Sequence, residues 1–91
     1  LAYRERNRNR IKARVYNLTE QEYFDLIWKQ ENKCKICNKF MNGTKERHID
    51  HCHNTKKVRG LLCRDCNLGL GNFKHNSEFL KQAALYCEQS K

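Results

Sequence analysis

Two C-x-x-C pairs, Cys34-Lys35-Ile36-Cys37 and Cys63-Arg64-Asp65-Cys66, stand 25 residues apart in a chain of 91. Each pair fits a tight turn that presents two sulfurs to one ion, and a tetrahedral zinc needs two such turns. The separation exceeds the roughly 15 to 20 residues of short zinc ribbons, so a hairpin fits between the pairs. A chain this short makes one domain whose single hydrophobic core needs a further staple. Six cysteines could also supply disulfides, but the paired spacing and the lack of a secretory signal favour reduced thiols and an intracellular setting. Zinc held by four thiolates has no open position for water, which makes the expected site structural. Cys52 and Cys87 stay outside it, and Cys87, in the apolar stripe of the last predicted helix, is expected to be buried.

Lys and Arg number 19 against 10 Asp and Glu, giving +9 at pH 7. Four thiolates and a dication would lower that by only about two charges. Such a field attracts phosphates, and DNA or RNA is the partner class it favours. No apolar run is long enough to span a membrane. Within residues 1–16, Arg6, Arg10 and Arg14 recur at every fourth position, so a helix would line them along one side for phosphate contact. The segment reads equally as an arm that orders only when bound. The chain is therefore divided into a basic N-terminal arm or helix, 1–16, and a single zinc-containing domain, 17–91.

Thr19 and Glu22 form an S/T-x-x-E capping box, which starts a helix predicted over 20–31. Tyr23, Phe24, Ile27 and Trp28 follow at helical spacing and are expected to pack into the core. The first cysteine pair reads as a knuckle turn leading into a short strand, closed by the Asn42-Gly43 turn signal. Residues 47–52 and 57–62 read as two strands of a hairpin, with Gly60 marking a bulge or a close backbone approach. A short helix follows Cys66, and a final amphipathic helix begins with Ser77 as its N-cap.

With zinc assigned to cysteines, Asp50, His51, His53 and Asn67 remain. A carboxylate and an amide oxygen are hard ligands suited to Mg²⁺ or Mn²⁺, and a neutral imidazole suits a general base. Phosphodiester hydrolysis uses both. Taken singly, each of the four reads first as an ordinary polar residue of a hairpin or helix start. Asn67 directly follows Cys66, so zinc would fix the orientation of that side chain. In a regular strand Asp50 and His51 face opposite sides, so both serve one site only if the strand ends or bends there, or if they flank a phosphate from two sides. His48 is expected to be a solvated strand residue.

The motif HIDHCH followed by VRGLLCRDCN inside the two C-x-x-C pairs resembles the recombination endonuclease VII family of phages and bacteria, within the HNH or His-Me finger nucleases. The resemblance covers about residues 17–88. It implies an α+β chain with a small zinc-stabilised ββα-metal fold and flanking helices. It also implies a DNA endonuclease leaving 5′-phosphate and 3′-hydroxyl ends, with one structural Zn²⁺ and one catalytic Mg²⁺ or Mn²⁺. By position, Asp50 resembles the metal-ligating aspartate, His51 the general base, Asn67 the second metal ligand, and His53 a histidine that assists catalysis. The middle position of D-H-x-H is Cys52, where a phage member of the family carries an acidic residue. Lys56, Lys57, Arg59 and Arg64 flank the site and are expected, with the arginines of 1–16, to hold the DNA backbone. The resemblance leaves a homodimer open and suggests a phage or prophage source. The alternative reading is a zinc-ribbon nucleic-acid-binding module without catalysis.

Overall fold

The Thr19 hydroxyl accepts from the Glu22 N–H at 3.0 Å while the Glu22 carboxylate accepts from the Thr19 N–H at 2.9 Å, so the capping box forms in both directions. It opens α2 (Glu20–Lys29) in the computed structural model, which describes residues 3–52 and 54–89. The described residues form four helices and one two-stranded sheet: α1 (Tyr3–Val15), α2, β1 (His48–His51), β2 (Val58–Leu62), α3 (Arg64–Asn72) and α4 (Ser77–Gln89).

Three of the helices end in the same way without glycine. After α1 the Leu18 N–H reaches back to the Ala13 carbonyl at 2.8 Å and the Asn17 N–H to Arg14 at 3.1 Å, with Asn17 left-handed at φ 59°. This is the Schellman arrangement, which satisfies carbonyls that a helix end would leave bare. Glu31 and Asn32 repeat it after α2, two residues earlier than expected from sequence, and Lys74 and His75 repeat it after α3. The last helix is capped by Asn76, whose Oδ1 accepts from the Phe79 N–H at 3.1 Å, and not by Ser77.

The core is built from Ala13, Tyr23, Cys34, Met41, Ile49, Leu61, Leu62 and Cys63, all buried. The helical stripe of α2 contributes Tyr23, while Phe24 and Ile27 are half-buried and Trp28 is 84% exposed, correcting its expected core role. Trp28 falls on the solvent side because the buried surface here is narrow: one large ring, Tyr23, fills it. The final helix also departs from expectation, since it holds no buried residue and Cys87 is exposed.

A polar clasp joins α1 to the body. Lys12 Nζ donates to the carbonyls of Thr44 and Arg47, and the Thr44 hydroxyl donates to Asn9. Arg47, buried, continues the network by donating to the Tyr23 hydroxyl at 3.2 Å and to Asn32 Oδ1 at 3.1 Å. His48, next along, is half-buried and not solvated, and its Nε2 has no hydrogen-bond partner among the described residues. Burial lowers its pKa, helped by the charges of Lys12 and Arg64.

Strands β1 and β2 pair antiparallel, with His48 opposite Leu62, Ile49 opposite Leu61 and Asp50 opposite Gly60. The register then slips, and His51 lies opposite Val58. Arg59 is the extra residue of this bulge, which bends the hairpin between Asp50 and His51. Gly60 also meets the expected close approach: a Cβ there would lie 2.9 Å from Lys35 Cδ and 3.0 Å from Gln30 Oε1. Gln30, in turn, pins β2 to the end of α2, accepting from the Leu61 N–H and donating to its carbonyl, each at 2.9 Å.

Candidate metal centre and cleft

The four cysteines are brought together by two different local structures. Cys34 and Cys37 sit on a tight turn, in which the Cys34 N–H bonds the Lys39 carbonyl at 2.8 Å and Asn38 closes the loop at φ 65°. Cys63 is the N-cap of α3 and its sulfur accepts from the Cys66 N–H at 3.5 Å, so the second pair rides on a helix start. All four sulfurs lie within 4.8 Å of one another, and Cys37 Sγ to Cys63 Sγ is 3.7 Å. Bonds of about 2.3 Å to a tetrahedral zinc put sulfurs about 3.8 Å apart, so the set fits that ion. All six cysteines are free thiols.

The electrostatics of the cluster agree with a dication site. Burial pushes the Cys34 thiol up, but hydrogen bonds from the backbone of Cys37, Cys63 and Ile36 and from the Cys66 side chain outweigh it and bring it to about 6. Burial and the neighbouring cysteines push Cys66 well up. Four thiols in one small space cannot all ionise without a compensating cation: one thiolate forms readily and raises the cost of the next.

Asn67, the residue after Cys66, lines a cleft of about 330 Å³ together with Tyr16, Asp50, His51, Asn72 and His75, among others. The bulge explains how Asp50 and His51, adjacent in sequence, both reach it. Asn67 is placed there by the first turn of α3, where its N–H bonds the Cys63 carbonyl at 3.0 Å. Asp50 is buried and also lines a second recess, of about 270 Å³, with Lys35, Arg59 and Gly60. The Tyr16 ring packs on the His51 imidazole, with centroids 5.5 Å apart and planes tilted by 56°. His53 lies outside the described residues, as does the Arg6 side chain.

Arg59 donates to Asp50 in side-on fashion, Nε to Oδ2 at 2.7 Å and Nη2 to Oδ1 at 3.0 Å. Nη2 is also 3.0 Å from His75 Nδ1. Hydrogen bonding to Asp50 raises the Arg59 pKa further. Lys56, Lys57 and Arg64 are exposed, as are Arg10 and Arg14, with Arg10 3.7 Å from Glu20. Cys52 is half-buried at the end of β1, where hydrogen bonds from the Thr55 side chain and the backbone of Thr55 and Asn54 lower its thiol to about 7.

Tyr16 and His75 were not legible as site residues. Neither belongs to a ligand spacing: one arrives from beyond the end of α1, the other from the turn after α3, and only the folded chain sets them beside Asp50 and His51.

A family model described as recombination endonuclease VII matches residues 8–89. The gene 59 protein of Mycobacterium phage L5 is 42% identical over 74 residues, which is 79% of this chain and 44% of that protein. The gene 59 protein of Mycobacterium phage D29 is 40% identical over 76 residues, 82% of this chain and 46% of that protein. The chain thus spans less than half the length of these relatives. No solved structure matches it.

Proposed function

The chain belongs to the recombination endonuclease VII family, and from that membership and the chemistry of the cleft we propose that it is a metal-dependent DNA endonuclease of the HNH or His-Me finger (ββα-metal) type. It hydrolyses phosphodiester bonds in duplex or branched DNA, leaving 5′-phosphate and 3′-hydroxyl ends. The observation that carries this reading is the shared cleft of Asp50, His51 and Asn67, with Asn67 one peptide bond from the zinc ligand Cys66.

Asp50 and Asn67 offer one carboxylate and one amide oxygen, a donor set that fits Mg²⁺ or Mn²⁺ better than zinc. The ion, when bound, supplies charge neutralisation for the phosphorane and the departing 3′ oxygen. His51 takes the proton of the attacking water, a role for which its ring nitrogen needs a fixed direction, and the Tyr16 ring restricts its rotation. His53 assists through the substrate phosphate. Lys56, Lys57, Arg64 and the arginines Arg6, Arg10 and Arg14 hold the DNA backbone, joined by the exposed side of Arg59. In this reading residues 17–91 are the nuclease domain and 1–16 a basic N-terminal segment whose helix, α1, packs on it through Asn9, Lys12 and Ala13. The phage source of the two relatives supports a phage or prophage origin. No helix among the described residues is long and apolar enough to cross a membrane.

Supercoiled plasmid incubated with the zinc-loaded chain tests the reading. Nicked or linear product is expected with Mg²⁺ or Mn²⁺ and none with EDTA, and His51→Ala should lose at least about a hundredfold in rate. Plasmid bound but uncut under every condition would favour the non-catalytic binding module.

A further inference from the structure

We propose that His75 is a positioning residue of this cleft: its Nδ1 holds the Arg59 guanidinium against Asp50 and so fixes the carboxylate. The catalytic consequence rests on the endonuclease reading above, whereas the hydrogen-bonded bridge does not.

The chain places His75 firmly. It is the last residue of the Schellman turn that ends α3, left-handed at φ 54°, with its N–H on the Leu70 carbonyl at 2.8 Å. Lys74 before it is also left-handed, at φ 56°, and its N–H bonds Gly71 at 2.9 Å. Two constrained residues in succession turn the backbone sharply after α3, and His75 lines the cleft.

The roles in the bridge follow from donor chemistry. A guanidinium only donates, so His75 Nδ1 is the acceptor and the ring proton sits on Nε2. Arg59 Nη2 carries two hydrogens, and its two partners at 3.0 Å, Asp50 Oδ1 and His75 Nδ1, take one each. Arg59 is long, stands on a bulge and has 45% of its side chain exposed, so Asp50 alone would leave much of it free to swing. A second anchor on another element fixes the plane of the fork. Each Asp50 oxygen spends one acceptor site on Arg59 and keeps another, so the same contact that orients the carboxylate leaves it able to take a cation. Groups that orient a metal ligand in this way affect affinity and rate by about 10 to 100-fold.

The test uses the zinc-loaded full chain and its His75→Ala, His75→Asn and Arg59→Ala variants, with zinc content and circular dichroism confirming the fold. Asn offers an acceptor oxygen near the position of Nδ1. Nitrogen-15 NMR of the imidazoles at alkaline pH should show His75 as the Nε2–H tautomer, a preference that Arg59→Ala removes. His75→Ala should lower kcat for plasmid nicking by about tenfold with KM for DNA unchanged, and weaken Mn²⁺ binding measured by electron paramagnetic resonance to a similar extent. His75→Asn should recover most of both. An Nδ1–H tautomer in the wild-type chain, or a His75→Ala variant with unaltered kcat and Mn²⁺ affinity, overturns the proposal. If the tautomer and its dependence on Arg59 are found but the wild-type chain cuts no DNA, the bridge stands and the endonuclease reading falls.

Discussion

Arg59 meets Asp50 across the hairpin bulge with two parallel hydrogen bonds, at 2.7 and 3.0 Å, and the Asp50 side chain is only 9% exposed. A carboxylate this sheltered depends on its partner more than the partner depends on it. Arg59→Ala should therefore destabilise the zinc-loaded protein by about 2 kcal/mol in urea unfolding without added Mg²⁺. Adding Asp50→Asn should return part of the loss by removing the unpaired charge. Equal stability of wild type and Arg59→Ala would show that the pair contributes nothing to folding.

Zinc held by the four-cysteine cluster would impose a strict metal requirement. One equivalent of zinc should co-purify, and removing it with a strong chelator should abolish the cooperative thermal transition, because a structural zinc contributes on the order of 10 kcal/mol in small domains. The pH dependence has a definite sign. Zinc binding displaces protons from thiols such as Cys66, whose pKa is raised, so apparent zinc affinity should fall as pH falls. Zinc release followed with a colorimetric chelator at several pH values checks this, and pH-independent release would argue against thiolate ligation.

Thr19 and Glu22 cap α2 reciprocally. Thr19→Ala should cost about 1 kcal/mol, read as a lowering of Tm by roughly 4 to 8 °C for a domain of this size. Glu22→Ala should cost less: each change removes one of the two bonds, but the Thr19 hydroxyl satisfies an N–H of the helix's first turn, whereas the Glu22 carboxylate accepts only from the N-cap's own N–H.

At Gly60 the space for a side chain is absent. The flexible Lys35 can withdraw, but Gln30 is held by both backbone groups of Leu61 and cannot yield without unpinning α2 from β2. Gly60→Ala should destabilise by about 1 to 3 kcal/mol, and Gly60→Val by more. A neutral Gly60→Ala would mean that the Gln30 contact is looser than its geometry.

Tyr23 and Trp28 separate packing from exposure within one helix. Tyr23 is fully buried and Trp28 is 84% exposed. Tyr23→Ala should cost about 3 to 5 kcal/mol, whereas Trp28→Ala should stay within about 0.5 kcal/mol. Guanidinium unfolding of the two variants compares them directly.

What could be read in advance was local. The spacing of Cys34 and Cys37 with Cys63 and Cys66 determined the thiol cluster, because a C-x-x-C turn needs only neighbouring residues to aim its sulfurs. The Thr19 to Glu22 box and the hairpin around Gly60 were legible for the same reason: each is decided within a few residues of chain. The side of a helix that meets solvent was not, since the width of the core is set by elements far away in sequence, and Trp28 and Cys87 accordingly lie outside it. Nor did the order of residues show how Asp50 and His51 could line one cleft. A one-residue slip against β2 does that, and it depends on which partner residues the strands find. Tyr16 on His51 and His75 on Arg59 are contacts between segments that only the packing of α1, the hairpin and α3 brings within reach. Sequence by itself determined which ligand types and short spacings the chain carries, since these are written in it; tertiary structure alone decided which side chains stand beside Asp50 and His51, because those distances are fixed by long-range packing.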